Sequence, residues 1–400
     1  MKARSNGRAL FTRAGAQKHK CCQKVIKSEF LKAFIDDPGK HIRLEIIMMS
    51  KKRRILAAVL VLVLVLGSLA ACGGPKKERY MKTYIDAFDT AITFIAYSES
   101  EEDFNAAAEK LHEELLRYHK LYNIYNEYEG INNIYTINKN AGNGEPVVVD
   151  PAIIDMLEMA VEYYEKSDGE INVAMGSVLK IWHNTRTHGI AFPEDAKLPK
   201  MERLIEANAH TDISKMIIDR ENSTVYLEDP EMALDVGAIA KGYATEMVAL
   251  MLEEDGWVNA ALNVGGNIRS LGVKGDGSLW AVGIQNPDLS DTENVSVELI
   301  EVERMSLATS GVYQRFYTVD GKNYHHIIDK DSLMPEDRYL SVSILTPHSG
   351  VADAVSTALF NMDIEEGKEF LKKLDDTYAM WILPDMTKVY SEGFEDFIVK

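Results

Sequence analysis

The sequence predicts an α+β fold, a single compact unit of largely antiparallel sheet with packed helices. Three observations lead there. After residue 217 the chain carries seven short runs rich in β-branched and aromatic residues, each bounded by Gly, Asp, Asn or Pro. Many of these runs follow one another without the helix that a parallel crossover needs. Before residue 217 the pattern is helical, with apolar residues near every third or fourth position.

In chain order, the first feature is not part of the fold. Residues 50–72 read SKKRRILAAVLVLVLVLGSLAAC: a basic start, an apolar run and small residues ending at Cys72. That is the layout of a secretory signal, and LAAC resembles a bacterial lipobox whose cysteine becomes the lipidated first residue. An uncleaved membrane helix is the alternative, but the apolar run from Ile55 to Leu66 falls short of the roughly 20 residues that span a bilayer. Residues 1–48 read as an upstream extension, 49–71 as the signal, 72–83 as a tether and 84–400 as the folded domain. The expected location is the extracytoplasmic face of the cell membrane, held by the lipid on Cys72.

Residues 1–71 hold 15 of the 44 Lys and Arg but 4 of the 62 Asp and Glu, so the remainder carries a net charge near −29. Such a surface argues against nucleic acid as a partner. Cys72 is the one cysteine after Cys21 and Cys22, which excludes disulfides and thiolate metal sites from the domain.

The domain opens with a strand at AITFIAY and a helix over residues 100–121. Asp150 and Pro151 supply an N-cap and a first helical residue, after which Ile153, Leu157, Val161 and Tyr164 line one face until SDG at residues 167–169. A second helix is expected through VAMGSVLKIWHN. The strands are STVYL, VNAALNV, SLWAVGI, VSVELIEVE, NYHHIID, YLSVSIL and TYAMWIL, interrupted by helices at about 238–254, 350–361 and 364–374.

Four stretches carry chemistry. ALDVGAIAKGYATEMVALML, residues 233–252, is a strand-to-helix turn whose exposed backbone N–H groups suit phosphate, with Asp235 ahead and Lys241 adding a charge. LNVGGNIRSLG allows close approach at Gly265 and Gly266. LATSGVYQRFYTVDGKNYHHIID offers Thr309, Ser310 and a His325–His326 pair in a strand. VADAVSTALF sets Asp353 and Thr357 four residues apart on one helix face, two oxygen ligands for a hard cation such as Mg²⁺.

In this order the stretches resemble the ApbE flavin transferases, the FAD:protein FMN transferases. DVGAIAKGY, GGN, TSG, HIID and ADAVST match that family's blocks. The resemblance implies an ApbE-like, T-fold-related domain that moves FMN from FAD to a Thr or Ser hydroxyl of an acceptor protein and releases AMP. It implies FAD contacts at Phe88, Asn126, Glu170, Ile171, Asn172, Asp235, Lys241 and Ile327, and Mg²⁺ held by Ala238 through its carbonyl with Asp353, Ser356 and Thr357. His326 is the expected base, with Asp353 as the alternative. The chain departs from the family at Phe88, where Met is usual, at Glu170, Ile171 and Asn172, and at DKDSLMP after the histidines. An Mg²⁺-dependent FAD pyrophosphatase and a lipoprotein that only binds flavin or another solute are the competing readings. An Asn at 126 resembles the type that retains FAD.

Overall fold

The computed structural model describes residues 77–400; Cys72 and the signal-like segment lie outside them. Strand β1 (Glu78–Ala87) pairs antiparallel with β2 (Thr90–Ser98) through a two-residue turn. Both turn residues, Phe88 and Asp89, have positive φ, 55° and 52°, the conformation of the tight hairpin turns that match strand twist. β1 starts inside the stretch read as a tether. Its edge position explains the misreading, because Met81 and Ile85 face solvent while Tyr80 and Tyr84 pack inward, leaving no strong apolar run.

Helix α1 (Glu101–Leu121) begins where Ser100 accepts from the Asp103 N–H, and its acidic first turn suits the helix dipole. A short α2 (Ile134–Lys139) and β3 (Val147–Val148) lead to α3 (Pro151–Lys166), capped by Asp150 as expected. Its buried face is Ile153, Ile154, Met156, Leu157, Ala160 and Tyr163; Val161 and Tyr164 lie on its flank, half-buried. The helix stops at Ser167, after which Asp168 and Gly169 turn with positive φ. Helix α4 (Gly176–Ala191) starts later and runs longer than the sequence suggested, since residues 173–175 are spent crossing to the 233–235 segment. Helix α5 (Met201–Asn208), β4 (Met216–Asp219) and β5 (Thr224–Leu227) complete this half, β3-β5-β4 forming a small sheet.

The second half holds α6 (Ala240–Glu254), β6 (Ala260–Val264), β7 (Asn267–Ser270), β8 (Trp280–Gln285), β9 (Ser296–Val302), β10 (Ser306–Gly311), β11 (Phe316–Val319) and β12 (Lys322–His325). It ends with β13 (Ser341–Thr346), α7 (Ser349–Asn361), α8 (Ile364–Leu371), β14 (Tyr378–Ile382) and β15 (Lys388–Tyr390). One eight-stranded sheet in the order β1-β2-β6-β7-β10-β13-β14-β15 is antiparallel throughout.

Alternation along its strands divides the interior. Ala308, Ile344 and Trp381 point into the large core under the helices, whereas Leu307, Leu345 and Met380 point to the other face, which the β8–β9 ribbon covers with Trp280, Val282 and Ile300. A third cluster, Met175, Val178, Trp182, Leu204, Tyr317, Ile328 and Leu333, sits under α4, α5 and the β11–β12 hairpin.

Candidate active site

A cleft opens where the third cluster meets the large core, lined from both. Its floor is the crossing of α6 and α7. At Gly242 the two helices touch so closely that a Cβ would lie 2.3 Å from the Ser349 carbonyl oxygen and 2.5 Å from the Asp353 Cβ. Only glycine permits this contact. The Gly242 N–H then donates to Asp353 Oδ2 at 2.9 Å, and Lys241 Nζ lies 3.2 Å from Asp353 Oδ1. Lys241 also reaches Asn267 Oδ1 at 3.5 Å. A lysine among small residues therefore serves to bring a cation and a carboxylate together on the cleft floor.

Further along α7, Thr357 faces the cleft, its Oγ1 3.5 Å from Ser310 Oγ. Ser356 does not line the cleft. Its hydroxyl is buried, sharing a hydrogen bond with Ser310 Oγ at 2.8 Å and donating to the Asp353 carbonyl at 2.8 Å. Neighbouring helical residues point about 100° apart, so only one of the two can face the cleft. Ala238, from the turn ahead of α6, lines the cleft with Asp353 and Thr357. Among the described residues no cluster of three His, Cys, Asp or Glu exists that could hold a metal; any cation here is met by one carboxylate with hydroxyl and carbonyl oxygens.

Phe88 and Asp89 enter from the β1–β2 turn, the Phe88 N–H donating to His119 Nδ1 at 3.0 Å. Gly265, at φ +58°, lets the β6–β7 turn pass Thr90, whose Oγ1 a Cβ would meet at 2.4 Å. Asp235 accepts the Gly237 N–H at 2.9 Å. Burial raises its pKa, opposed first by that hydrogen bond and then by the charges of His183, Arg186 and Arg315.

Glu170 is also raised by burial, against the pull of Lys330 at 3.2 Å, and its Oε2 is buried with no hydrogen-bond partner among the described residues. Asn172 lines the cleft, but its amide is committed to the Thr211 carbonyl and the Ala174 N–H. Ile171 and Ile327 are buried lining residues. Asn126 is not among the lining residues. Its exposed loop brings Asn123, Ile124 and Tyr125 to the cleft instead, with Asn123 Oδ1 accepting the N–H groups of both Tyr125 and Asn126.

The two histidines separate. β12 ends at His325, so His326 stands just beyond the strand. His325 is buried against Phe360, with Nε2 3.0 Å from the Glu336 carbonyl oxygen. His326 turns into the cleft, and its Nδ1 is buried without a hydrogen-bond partner among the described residues. Burial, then the charges of Arg315 and Arg186, hold its pKa down to about 3, so the ring is neutral near pH 7.

Sequence reasoning missed the other wall. Tyr125, Trp182, His183, Arg186, Gln314 and Arg315 come from a loop, α4 and the β10–β11 turn. Only the i, i+4 spacing of Trp182 and Arg186 was a local hint that they share a helix face.

A sequence profile described as the ApbE family matches residues 88–382. The FAD:protein FMN transferase of Treponema pallidum (strain Nichols) is 32% identical over 351 residues, covering 84% of this chain and 93% of that protein. The FAD:protein FMN transferase of Klebsiella pneumoniae (strain 342) is 32% identical over 250 residues, 62% of this chain and 74% of that protein. Among solved structures, the ApbE protein of Thermotoga maritima superposes with a TM-score of 0.70 at 26% identity, over 81% of this chain and all of that one. The flavin transferase ApbE from Vibrio cholerae shares the fold, with a TM-score of 0.66 at 23% identity over 80% and 99% of the two chains. With the profile spanning the helix crossing, both turns and His326, this chain belongs to the ApbE family.

Proposed function

We propose that the cleft transfers FMN from FAD to a Thr or Ser hydroxyl of an acceptor protein, releasing AMP. The observation that carries this reading is the neutral His326 imidazole, its Nδ1 without a hydrogen-bond partner among the described residues, in the same cleft as the Lys241–Asp353 pair. Family membership supplies the substrate class. The attacking hydroxyl oxygen forms a bond to the phosphorus of the FMN half, the bridging P–O bond breaks, and AMP leaves as its phosphate anion. His326 takes the hydroxyl proton; a neutral imidazole can do so, and anionic substrate beside it raises its basicity. Asp353 is the weaker candidate base, since both its oxygens already face Lys241 or the Gly242 N–H.

Lys241 and the backbone at the start of α6 hold the phosphates. The oxygen donors Asp353, Thr357 and the Ala238 carbonyl suit Mg²⁺, a hard cation that takes few protein ligands and completes its shell with phosphate and water. When bound, it neutralises charge developing on the phosphates. Glu170, Asp235 and Ile327 border the space left for the rest of FAD. The lipobox reading of Cys72 places the enzyme on the extracytoplasmic face of the membrane, where its acceptor would be met.

The test is incubation with FAD, Mg²⁺ and acceptor, followed by AMP quantitation and in-gel flavin fluorescence. Transfer gives AMP in step with a fluorescent acceptor band. AMP with free FMN and no band would identify a pyrophosphatase, and no AMP a binding protein.

A further inference from the structure

We propose that Glu246 of α6 is a positioning residue for the reaction: it caps the start of α7 from the neighbouring helix and so sets where Asp353 stands against Lys241, an inference that rests on the metal-assisted transfer reading above. Its carboxylate is buried, with Oε2 accepting the Ser349 N–H at 2.7 Å. Ser349 is the first residue of α7, and its N–H is one of the donors a helix cannot satisfy from within. The N–H groups of Gly350 and Val351 go to His348 Nδ1 at 3.1 and 3.4 Å, and that of Ala352 opens the helical ladder on the His348 carbonyl oxygen at 3.0 Å. His348 is the local cap; the first donor is left to Glu246.

This contact lies one turn from the glycine crossing. Gly242 meets Asp353; four residues further along α6 and four residues back along α7, Glu246 meets Ser349. Residues four apart stack on one helix face, so the two helices run in opposite directions along a seam pinned at two points about 6 Å apart. Ser349 is gripped at both of its backbone groups, the N–H by Glu246 and the carbonyl oxygen by its approach to Gly242, where a Cβ would lie 2.3 Å away. One pin would let α7 pivot on α6. Two pins do not.

Strand β7 holds the second pin in turn. Arg269 is buried and reaches both carboxylate oxygens of Glu246, Nε to Oε2 at 3.1 Å and Nη2 to Oε1 at 3.4 Å. Asn267, two residues earlier and on the same face of the strand, reaches Lys241 at 3.5 Å. A buried ion pair adds little net stability over apolar residues of similar size, and its best-attested use is to fix register. Register is what the cleft floor needs, because Lys241 Nζ stands 3.2 and 3.4 Å from the two Asp353 oxygens and a working site tolerates errors of only about 0.5 Å.

The experiment titrates Mn²⁺, a paramagnetic stand-in for Mg²⁺, against protein and FAD without acceptor, and reads free Mn²⁺ by electron paramagnetic resonance. FAD affinity is measured separately in EDTA by flavin fluorescence. Because Glu246→Ala alone would strand the buried Arg269, both test variants also carry Arg269→Met. Glu246→Gln/Arg269→Met keeps an oxygen for the Ser349 N–H and should bind Mn²⁺ within about twofold of wild type. Glu246→Ala/Arg269→Met should bind it more weakly by roughly tenfold or more, the scale of one buried hydrogen bond, with FAD affinity in EDTA within about twofold. Ile300→Ala, in the cluster beneath the β8–β9 ribbon, should lower the melting temperature and leave Mn²⁺ affinity unchanged. Equal Mn²⁺ binding by the two double variants overturns the proposal, and so does a loss in Ile300→Ala as large as in the alanine double variant, because metal affinity would then follow overall stability. A wild-type protein that makes only AMP and free FMN, while the two double variants still differ in Mn²⁺ affinity, keeps the positioning role and sinks the transferase reading alone.

Discussion

Replacing Gly242 with alanine tests how finely the α6–α7 crossing sets the site. The new Cβ would meet the Ser349 carbonyl oxygen at 2.3 Å and the Asp353 Cβ at 2.5 Å, where ordinary contact begins at 3.4 Å. Neither atom is the end of a flexible side chain, so the helices must separate by about 1 Å. Intrinsic helix propensity favours Ala over Gly by up to about 1 kcal/mol, but overpacking of this kind costs about 1–3 kcal/mol. The net expectation is a melting temperature lower by a few degrees.

The effect on chemistry should be larger. The same movement breaks the 2.9 Å hydrogen bond from Gly242 to Asp353 and widens the 3.2 Å Lys241–Asp353 contact. Misplacement by about 1 Å can cost on the order of 100-fold in rate. AMP release should therefore fall by about that factor, with a raised Mg²⁺ requirement, in a protein still folded at the assay temperature. An alanine variant that melts at or above the wild-type temperature and transfers FMN at full rate would refute the reasoning, since the crossing would then have slack.

Other outcomes follow from the same geometry. His326→Ala should reduce transfer by about 10²–10⁴ with little change in FAD affinity, while His325→Ala should lower the melting temperature through loss of its Glu336 and Phe360 contacts; the reverse assignment would place the base on the wrong histidine. Because His326 is held to about 3 in the fold against roughly 6.5 when unfolded, the unfolded chain binds the extra proton in between. Wild type should thus lose stability relative to His326→Gln as pH falls from about 6.5 toward 3, by at most about 2–3 kcal/mol at pH ~4.5; parallel urea midpoints across that window would count against the buried, neutral ring. Asp353→Ala, or EDTA on wild type, should abolish transfer without unfolding, and full activity in either would remove Asp353 from the metal site. Cys72→Ser should release the protein from membranes with catalysis in vitro intact; a variant that survives a salt wash in the membrane fraction would instead favour an uncleaved helix.

Local signals were the legible ones. Ser100 and Asp150 cap the helices the sequence assigned them, because a side-chain oxygen before an apolar-periodic run satisfies N–H groups whatever surrounds it. The order of the motifs likewise located Asp235, Lys241, His326, Asp353 and Thr357, all of which reach one cleft. β10, SLATSG, was read for its hydroxyls and not as a strand. It lies between β7 and β13 in the sheet, where pairing on both edges holds a segment with little apolar pattern of its own. Arg186 and Arg315 were illegible for another reason. They are 129 positions apart, and only the packing of α4 under the β11–β12 hairpin puts their charges on one wall. Asn126 and Ser356 each stand one position from a residue that lines the cleft, Tyr125 and Thr357, the margin at which a loop or a helix turns one residue toward a site and its neighbour away.

The hairpin of β1 and β2 acts as a ruler. Ten residues of extended chain span on the order of 33 Å, and this strand begins at Glu78 and delivers Phe88 to the cleft at its far end. Backbone pairing with β2 along almost all of that length makes the distance rigid. Shortening the strand would therefore pull the Phe88–Asp89 turn out of the cleft it lines.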